Sequence, residues 1–344
     1  MTGKKTLALL ALLLLLGGAF WGWPYAKAIY FSGVPAQLQR SVLFIPSHAR
    51  FEQVLDSLEQ GGFISDKESF VWLAEKMNYK RDTMRGGRFE IQPGWSNRDL
   101  IGHLRAGKQA PVKVVLNVDR LPENVAGRVA RFLEADSLAL LRAFTDPAIL
   151  NETGYTPETL ISLFIPNTYE MFWTTDAKAF LQRMAREHDA FWDKNNRRAK
   201  AKALDMSPEQ VYTLASIVER ETNTNSEKPT IAGVYLNRLK INMLLQADPT
   251  AVFATRDFST RRVTDFHTTF QSPYNTYVTK GLPPGPISMA SISSIDAVLN
   301  AEQHDYLYFC AKPDDSGAHA FAASYAAHLV NARRFQAWLE QRGY

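Results

Sequence analysis

The segment SPEQVYTLASIVERET, residues 207–222, carries the marks of a helix that ends beside a protein core. Ser207 supplies a hydroxyl cap, Pro208 suits the first helical position, and Gln210 stands three residues after the cap. Val211, Leu214, Ala215 and Val218 recur at i, i+3, i+4 and i+7, and Ile217 widens that apolar stripe. Glu219 follows about 100° further round, at the border of the stripe. A carboxyl there is expected to be partly desolvated, which raises its pKa and suits it to donate a proton near neutrality. Glu221 lies roughly 200° from Glu219, so the two cannot form a facing pair. The alternative for Glu219 is a helix-end carboxylate paired with Arg220 or Arg238.

Downstream, the run from Gln246 to Ile287 is polar and punctuated by proline and glycine. It reads as a long loop lining a cleft, because loops of that length in compact domains are functional or disordered. Its amides, hydroxyls and tyrosines suit a neutral polyhydroxylated ligand such as a sugar. The candidate binding residues are Gln246, Asp248, Thr250, Tyr274, Asn275, Thr276 and Tyr277, joined by Asn237 near the end of a helix predicted over 229–240. A surface hairpin is the alternative. The apolar run 306–311 predicts a buried strand, followed by a turn at 314–317, a second strand through His319 and Phe321, and a last helix entered at His328.

At the amino terminus, Lys4 and Lys5 precede an apolar run from Leu7 through Trp23. That is the length of a membrane-spanning helix, and the flanking lysines place the short end in the cytoplasm. The expected organisation is a cytoplasmic tail at 1–5, a transmembrane helix at 6–26, a linker at 27–40, a small α/β module at 41–112 and a larger mixed α/β domain at 113–344. The fold class is α+β. The alternative for the anchor is a signal peptide cleaved near Ala26 and Ala28. Within the module, Ile45, Val54, Leu55, Leu58 and Gly61 recur 46 positions later as Ile91, Leu100, Ile101, Leu104 and Gly107. Each copy predicts a strand, a turn and a short helix stopped by glycine. A further helix is expected at 67–76, and a strand at 112–118.

The 344 residues carry a net charge of +4, too mild to suggest nucleic acid, and no nucleic-acid module accompanies it. An anionic envelope polymer or lipid surface remains compatible. The densest basic cluster, Lys194, Arg197, Arg198, Lys200 and Lys202, reads as a solvated face. A single cysteine, Cys310, excludes an intrachain disulfide. The scattered histidines give no metal-ligand spacing, and nothing calls for a cofactor.

Several motifs together resemble the YceG-like family of endolytic murein transglycosylases. They are Phe164, Pro166, Thr168 and Tyr169; residues 215–222; Asn237 to Leu239; Leu245 to Thr250; Tyr274 to Tyr277; Gly281 to Gly285 with Ile287; and Tyr306 to Phe309 with His319 and Phe321. Asn167 and Cys310 depart from the family pattern. The second copy of the repeat also resembles the glycan-binding LysM module, with Trp95 as its one sugar-stacking aromatic; a purely structural cap is the alternative. The family resemblance implies a single-pass inner-membrane protein with its catalytic domain in the periplasm. It would cut nascent peptidoglycan strands and leave 1,6-anhydro-N-acetylmuramyl ends, working beside penicillin-binding protein synthases. The resemblance assigns the single acid and base to Glu219. Rival expectations are a hydrolase using Glu219 and Asp248, and a glycan-binding scaffold without catalysis.

Overall fold

The computed structural model describes residues 25–342, together with residues 13, 16–18, 20, 22 and 23. The tail at 1–5 and most of the predicted span at 6–26 therefore lie outside the described residues. Among the described residues, no helix is long and apolar enough to cross a membrane. The chain divides into two units, one running up to Lys113 with 132–134 and 170–175, the other formed by 114–131, 135–169 and 176–344.

In the first unit, β1 (Val42–Ile45) pairs antiparallel with β2 (Gly87–Glu90), Val42 opposite Glu90 and Ile45 opposite Gly87. Alternation turns Leu43, Ile45 and Phe89 inward. The helices are α1 (Phe51–Gln60), α2 (Lys67–Lys76) and α3 (Asn97–Ala106). Val54, Leu55 and Leu58 of α1 and Leu100, Ile101 and Leu104 of α3 enter one core. The sequence echo is thus two strand-and-helix copies joined through their strands. Their ends differ: Gly107 is left-handed at φ 66°, whereas Gly61 is right-handed and Gly62 takes the left-handed turn at φ 65°.

The stretch 27–40 is not a free linker. Residues 25–30 are helical, Val34 is fully buried, and the Gly33 and Val34 amides both donate to the Trp95 carbonyl at 2.9 Å. A Cβ on Gly33 would meet Asn97 Oδ1 at 2.1 Å, so only glycine permits this approach. The Trp95 ring is partly buried against the core and tilted on His103 at 5.0 Å.

β3 (Val112–Val115) carries the chain into the second unit. There follow α4 (Pro122–Val129), α5 (Ser137–Thr145), α6 (Pro147–Thr153), β4 (Thr168–Met171), α7 (Ala177–Asp193) and α8 (Arg197–Ala203). The helices around the site are α9 (Pro208–Glu221), α10 (Lys228–Lys240), α11 (Asp248–Thr255), α12 (Asp265–Thr268) and α13 (Ile292–Leu299). The chain closes with the hairpin β5 (Tyr308–Ala311) and β6 (His319–Ala322) and with α14 (Tyr325–Gln341).

α9 begins as its sequence predicts: Ser207 Oγ accepts from the Gln210 amide, and the Gln210 side chain accepts from the Ser207 amide. Its burial exceeds a stripe, because every residue from Val211 to Val218 is buried. A helix hydrophobic on all sides belongs at the centre of a domain. Its polar residues serve the surrounding chain. Ser216 Oγ accepts from the Ile287 amide at 3.0 Å, and Tyr212 Oη accepts from the Ala290 amide at 3.1 Å while donating to the Phe164 carbonyl at 2.6 Å. Those bonds fix the turn leading into α13.

Three further expectations are corrected. The polar run 246–287 is interrupted by α11 and α12. The strand through Tyr308 and Cys310 is half-buried, because it lies in a two-stranded hairpin. Arg197 of the basic cluster is buried, in a two-point pair with Asp296 at 2.8 and 3.0 Å and over the Phe191 ring at 3.9 Å.

Candidate active site

The last turn of α9 presents two carboxyls to two environments. Glu219 meets the start of α13. Its Oε2 accepts from the Ser291 amide at 3.2 Å, from Ser294 Oγ at 2.5 Å, from Ser291 Oγ, and from Lys228 Nζ at 3.2 Å. Lys228 is 4% exposed, and its ammonium also reaches Ser291 Oγ and Ser293 Oγ at 3.4 and 3.3 Å. Burial pushes the Glu219 pKa up, but the serine hydroxyls and the lysine outweigh it and leave it below the ordinary carboxylate value. The expectation that Glu219 is held protonated is therefore reversed. Charged-form donors, including a helix N-terminus, overcome desolvation. Its partner is Lys228, neither Arg220 nor Arg238; the Arg238 guanidinium instead donates to the Leu307 and Leu245 carbonyls, each at 2.6 Å.

Glu221, on the other side of the helix, lines a cavity of about 640 Å³ whose wall includes Arg120, Arg220, Asp248, Phe253, Phe258 and Ile287. Glu219 is not part of that wall. Tyr235 Oη donates to Glu221 Oε1 at 2.6 Å. Withdrawal from water raises the Glu221 pKa to about 7; the nearby Asp248 charge adds to the rise, while the Tyr235 hydrogen bond and Arg238 oppose it. This is the combination expected of a working acid: a carboxyl at a cavity, tuned close to neutral pH.

Of the eight predicted binding residues, Asp248 alone shares the Glu221 wall. Its Oδ1 accepts from Tyr277 Oη at 2.5 Å, so Tyr277 holds it from behind. Tyr274 is half-buried on Phe253, ring centres 4.9 Å apart. Gln246 is exposed, with a left-handed backbone at φ 48°. Thr250, Asn275 and Thr276 are buried and spend their polar atoms internally. Asn275 Nδ2 donates to the His267 and Phe270 carbonyls at 2.9 and 2.8 Å. Thr250 and Thr276 share a hydroxyl bond at 2.8 Å, and Thr276 Oγ1 accepts from the Ala247 amide at 3.0 Å. They build the frame of the site and do not face it. Asn237 lies on a separate recess of about 900 Å³, with its Nδ2 donating to the His304 and Tyr306 carbonyls at 2.7 and 3.1 Å. His319 is tied to Glu227 at 3.0 Å.

The YceG-like family profile matches residues 43–334. The chain belongs to the YceG-like family. Among relatives, the endolytic murein transglycosylase of Streptococcus pneumoniae strain D39 is 25% identical over 334 residues, which cover 88% of this chain and 60% of that protein. The chain thus spans 60% of the length of this streptococcal family member. The Bacillus subtilis endolytic murein transglycosylase is 41% identical over 115 residues, 33% of this chain and 32% of that protein. A crystal structure of a YceG-like protein from Listeria monocytogenes superposes with a TM-score of 0.56 at 27% identity, covering 84% of this chain and 97% of that one.

Glu221 was not singled out as a candidate from the sequence. The helical wheel separated the two glutamates but could not tell which one faced space. That is decided by Tyr235 and Asp248 on one side, and by Lys228, Ser291 and Ser294 on the other.

Proposed function

We propose that this YceG-like protein is an endolytic peptidoglycan transglycosylase in which Glu221, rather than Glu219, is the single acid and base. The observation that carries the reading is the Glu221 carboxyl on the cavity wall with a pKa near 7. Family membership and the names of its relatives support the substrate class. Protonated Glu221 would donate to the oxygen linking muramyl C1 to the 4-position of the next sugar, and that C1–O bond breaks. The resulting carboxylate takes the proton of the muramyl 6-hydroxyl as O6 closes on C1. The proton returns to Glu221, a 1,6-anhydro end forms, and no water is consumed. One carboxyl suffices, unlike the pair that glycoside hydrolysis uses.

The same reading takes 6–26 as a single inner-membrane anchor with the folded units in the periplasm. It takes the paired strand-and-helix copies of the first unit as a LysM-like glycan-holding module, and penicillin-binding protein synthases as neighbours supplying nascent strands. A second reading, hydrolysis, has one observation in its favour: Asp248 shares the wall with Glu221. Mass spectrometry of the fragments released from purified glycan strands separates the two. Anhydro ends support transglycosylation, reducing ends support hydrolysis, and cleavage that survives E221Q overturns the assignment.

A further inference from the structure

Four guanidinium groups, those of Arg120, Arg220, Arg261 and Arg262, stand on the wall that carries Glu221. Among the described residues none of the four forms a salt bridge. The two acids of that wall are already engaged, Glu221 by Tyr235 and Asp248 by Tyr277. The more withdrawn arginines of this chain behave differently: Arg197 pairs with Asp296, Arg128 pairs with Asp119 at 2.6 Å, and Arg238 holds two carbonyls. Arg220 is exposed on that wall, one residue from Glu221, and has no acid partner among the described residues. Arg120 lies over the Phe258 ring at 4.4 Å, which braces it without neutralising it. Four cations gathered at one cavity, with both of its acids already engaged, focus a positive field there and fit an anion that arrives from outside.

A neutral sugar backbone does not call for guanidinium groups. Their planar fork matches carboxylates. In peptidoglycan the free carboxylates belong to the stem peptides hung from the muramyl residues. We propose that the arginine wall binds stem-peptide carboxylates beside the scissile bond, so that the protein selects peptide-bearing strands over bare glycan. This selection rests on the transglycosylase reading of the same cavity.

The test compares glycan strands carrying stem peptides with strands stripped of them by an amidase, in which the lactyl carboxylates that the hydrolysis frees are capped as methylamides. Wild-type protein is expected to cleave the peptide-bearing strands at least about tenfold better in kcat/KM, with the preference shrinking as salt screens the charges. R261A/R262A is expected to reduce that ratio toward one, and R261K/R262K to restore part of it; both positions are exposed, and circular dichroism checks the fold. A wild-type ratio near one, or equal losses on both strands, overturns the proposal. Should wild type cleave neither strand, the enzymatic reading fails by itself, and binding decides the selection separately. E221Q that retains peptide-bearing strands more tightly than bare ones, with the difference erased by adding R261A/R262A, supports it; equal retention of both overturns it.

Discussion

The two glutamates at the end of α9 are separated by one residue and live in opposite surroundings. On one side Glu219 closes an ionic knot against Lys228 and the start of α13, with four donors converging on a single oxygen. On the other, Glu221 borders open space with one phenol as donor and one carboxylate as neighbour. Donors that favour the charged form win on the first side, and desolvation wins on the second. The lesson is that charge state at a helix end is set by what the helix abuts. On the proposed reading the first carboxylate serves architecture, while the second trades its proton.

That contrast can be broken most decisively at Glu221. E221Q should lower the rate of strand cleavage by about 10²- to 10⁴-fold, the usual share of a proton-transferring group, as read by release of soluble fragments. E219Q should instead strike stability. Removing one partner of a buried pair leaves Lys228 uncompensated, at a cost of about 3 kcal/mol, read by urea unfolding near neutral pH. The E219Q protein that folds should keep activity within about tenfold of wild type, well above the floor set for E221Q. The reverse pattern, silent E219Q with normal stability, would restore Glu219 as the acid.

The pH dependence sharpens the same comparison. The Glu219 pKa is depressed in the folded state, so the stability it contributes is present above the ordinary value of 4.5 and is lost as pH falls through the depressed value. The Glu221 pKa is raised from 4.5 to about 7, so its contribution is fully present below 4.5 and is lost as pH rises through 7. Wild type should therefore lose up to about 3 kcal/mol between pH 5 and 8 relative to E221Q, measured by denaturant titration of both proteins. The smallest effect is expected from D248N. Removing the like charge should move the alkaline limb of the kcat/KM profile to lower pH by less than about one unit, because Asp248 is a secondary contributor beside burial.

Local patterns in the sequence were realised where local forces decide. The α9 cap, the α2 boundaries at Lys67 and Lys76 and the repeat of strand and helix around Val54 and Leu100 all depend on residues a few positions apart. The site was less legible. Glu219 and Glu221 differ because of Ser291 and Ser294, more than seventy residues on in the case of Glu219, and because of Tyr235 and Asp248. Thr250, Asn275 and Thr276 posed a related ambiguity. A polar side chain in a proline-rich segment can meet a ligand or satisfy the backbone around it, and the same composition serves both. Likewise, Gly33 and Val34 looked like connector because their tie to the Trp95 carbonyl crosses sixty residues of chain.

The staple formed by those two threonines and the asparagine has a mechanical consequence. Loosening the rim near Asp248 would strand several amides and carbonyls at once, since the Ala247 and Thr276 amides and both threonine hydroxyls share interlocking bonds, and the adjacent Asn275 side chain holds the His267 and Phe270 carbonyls. Partial slackening gains nothing there. The 246–277 stretch should yield all together or stay put, giving one edge of the groove the stiffness of a hoop rather than the give of a hinge.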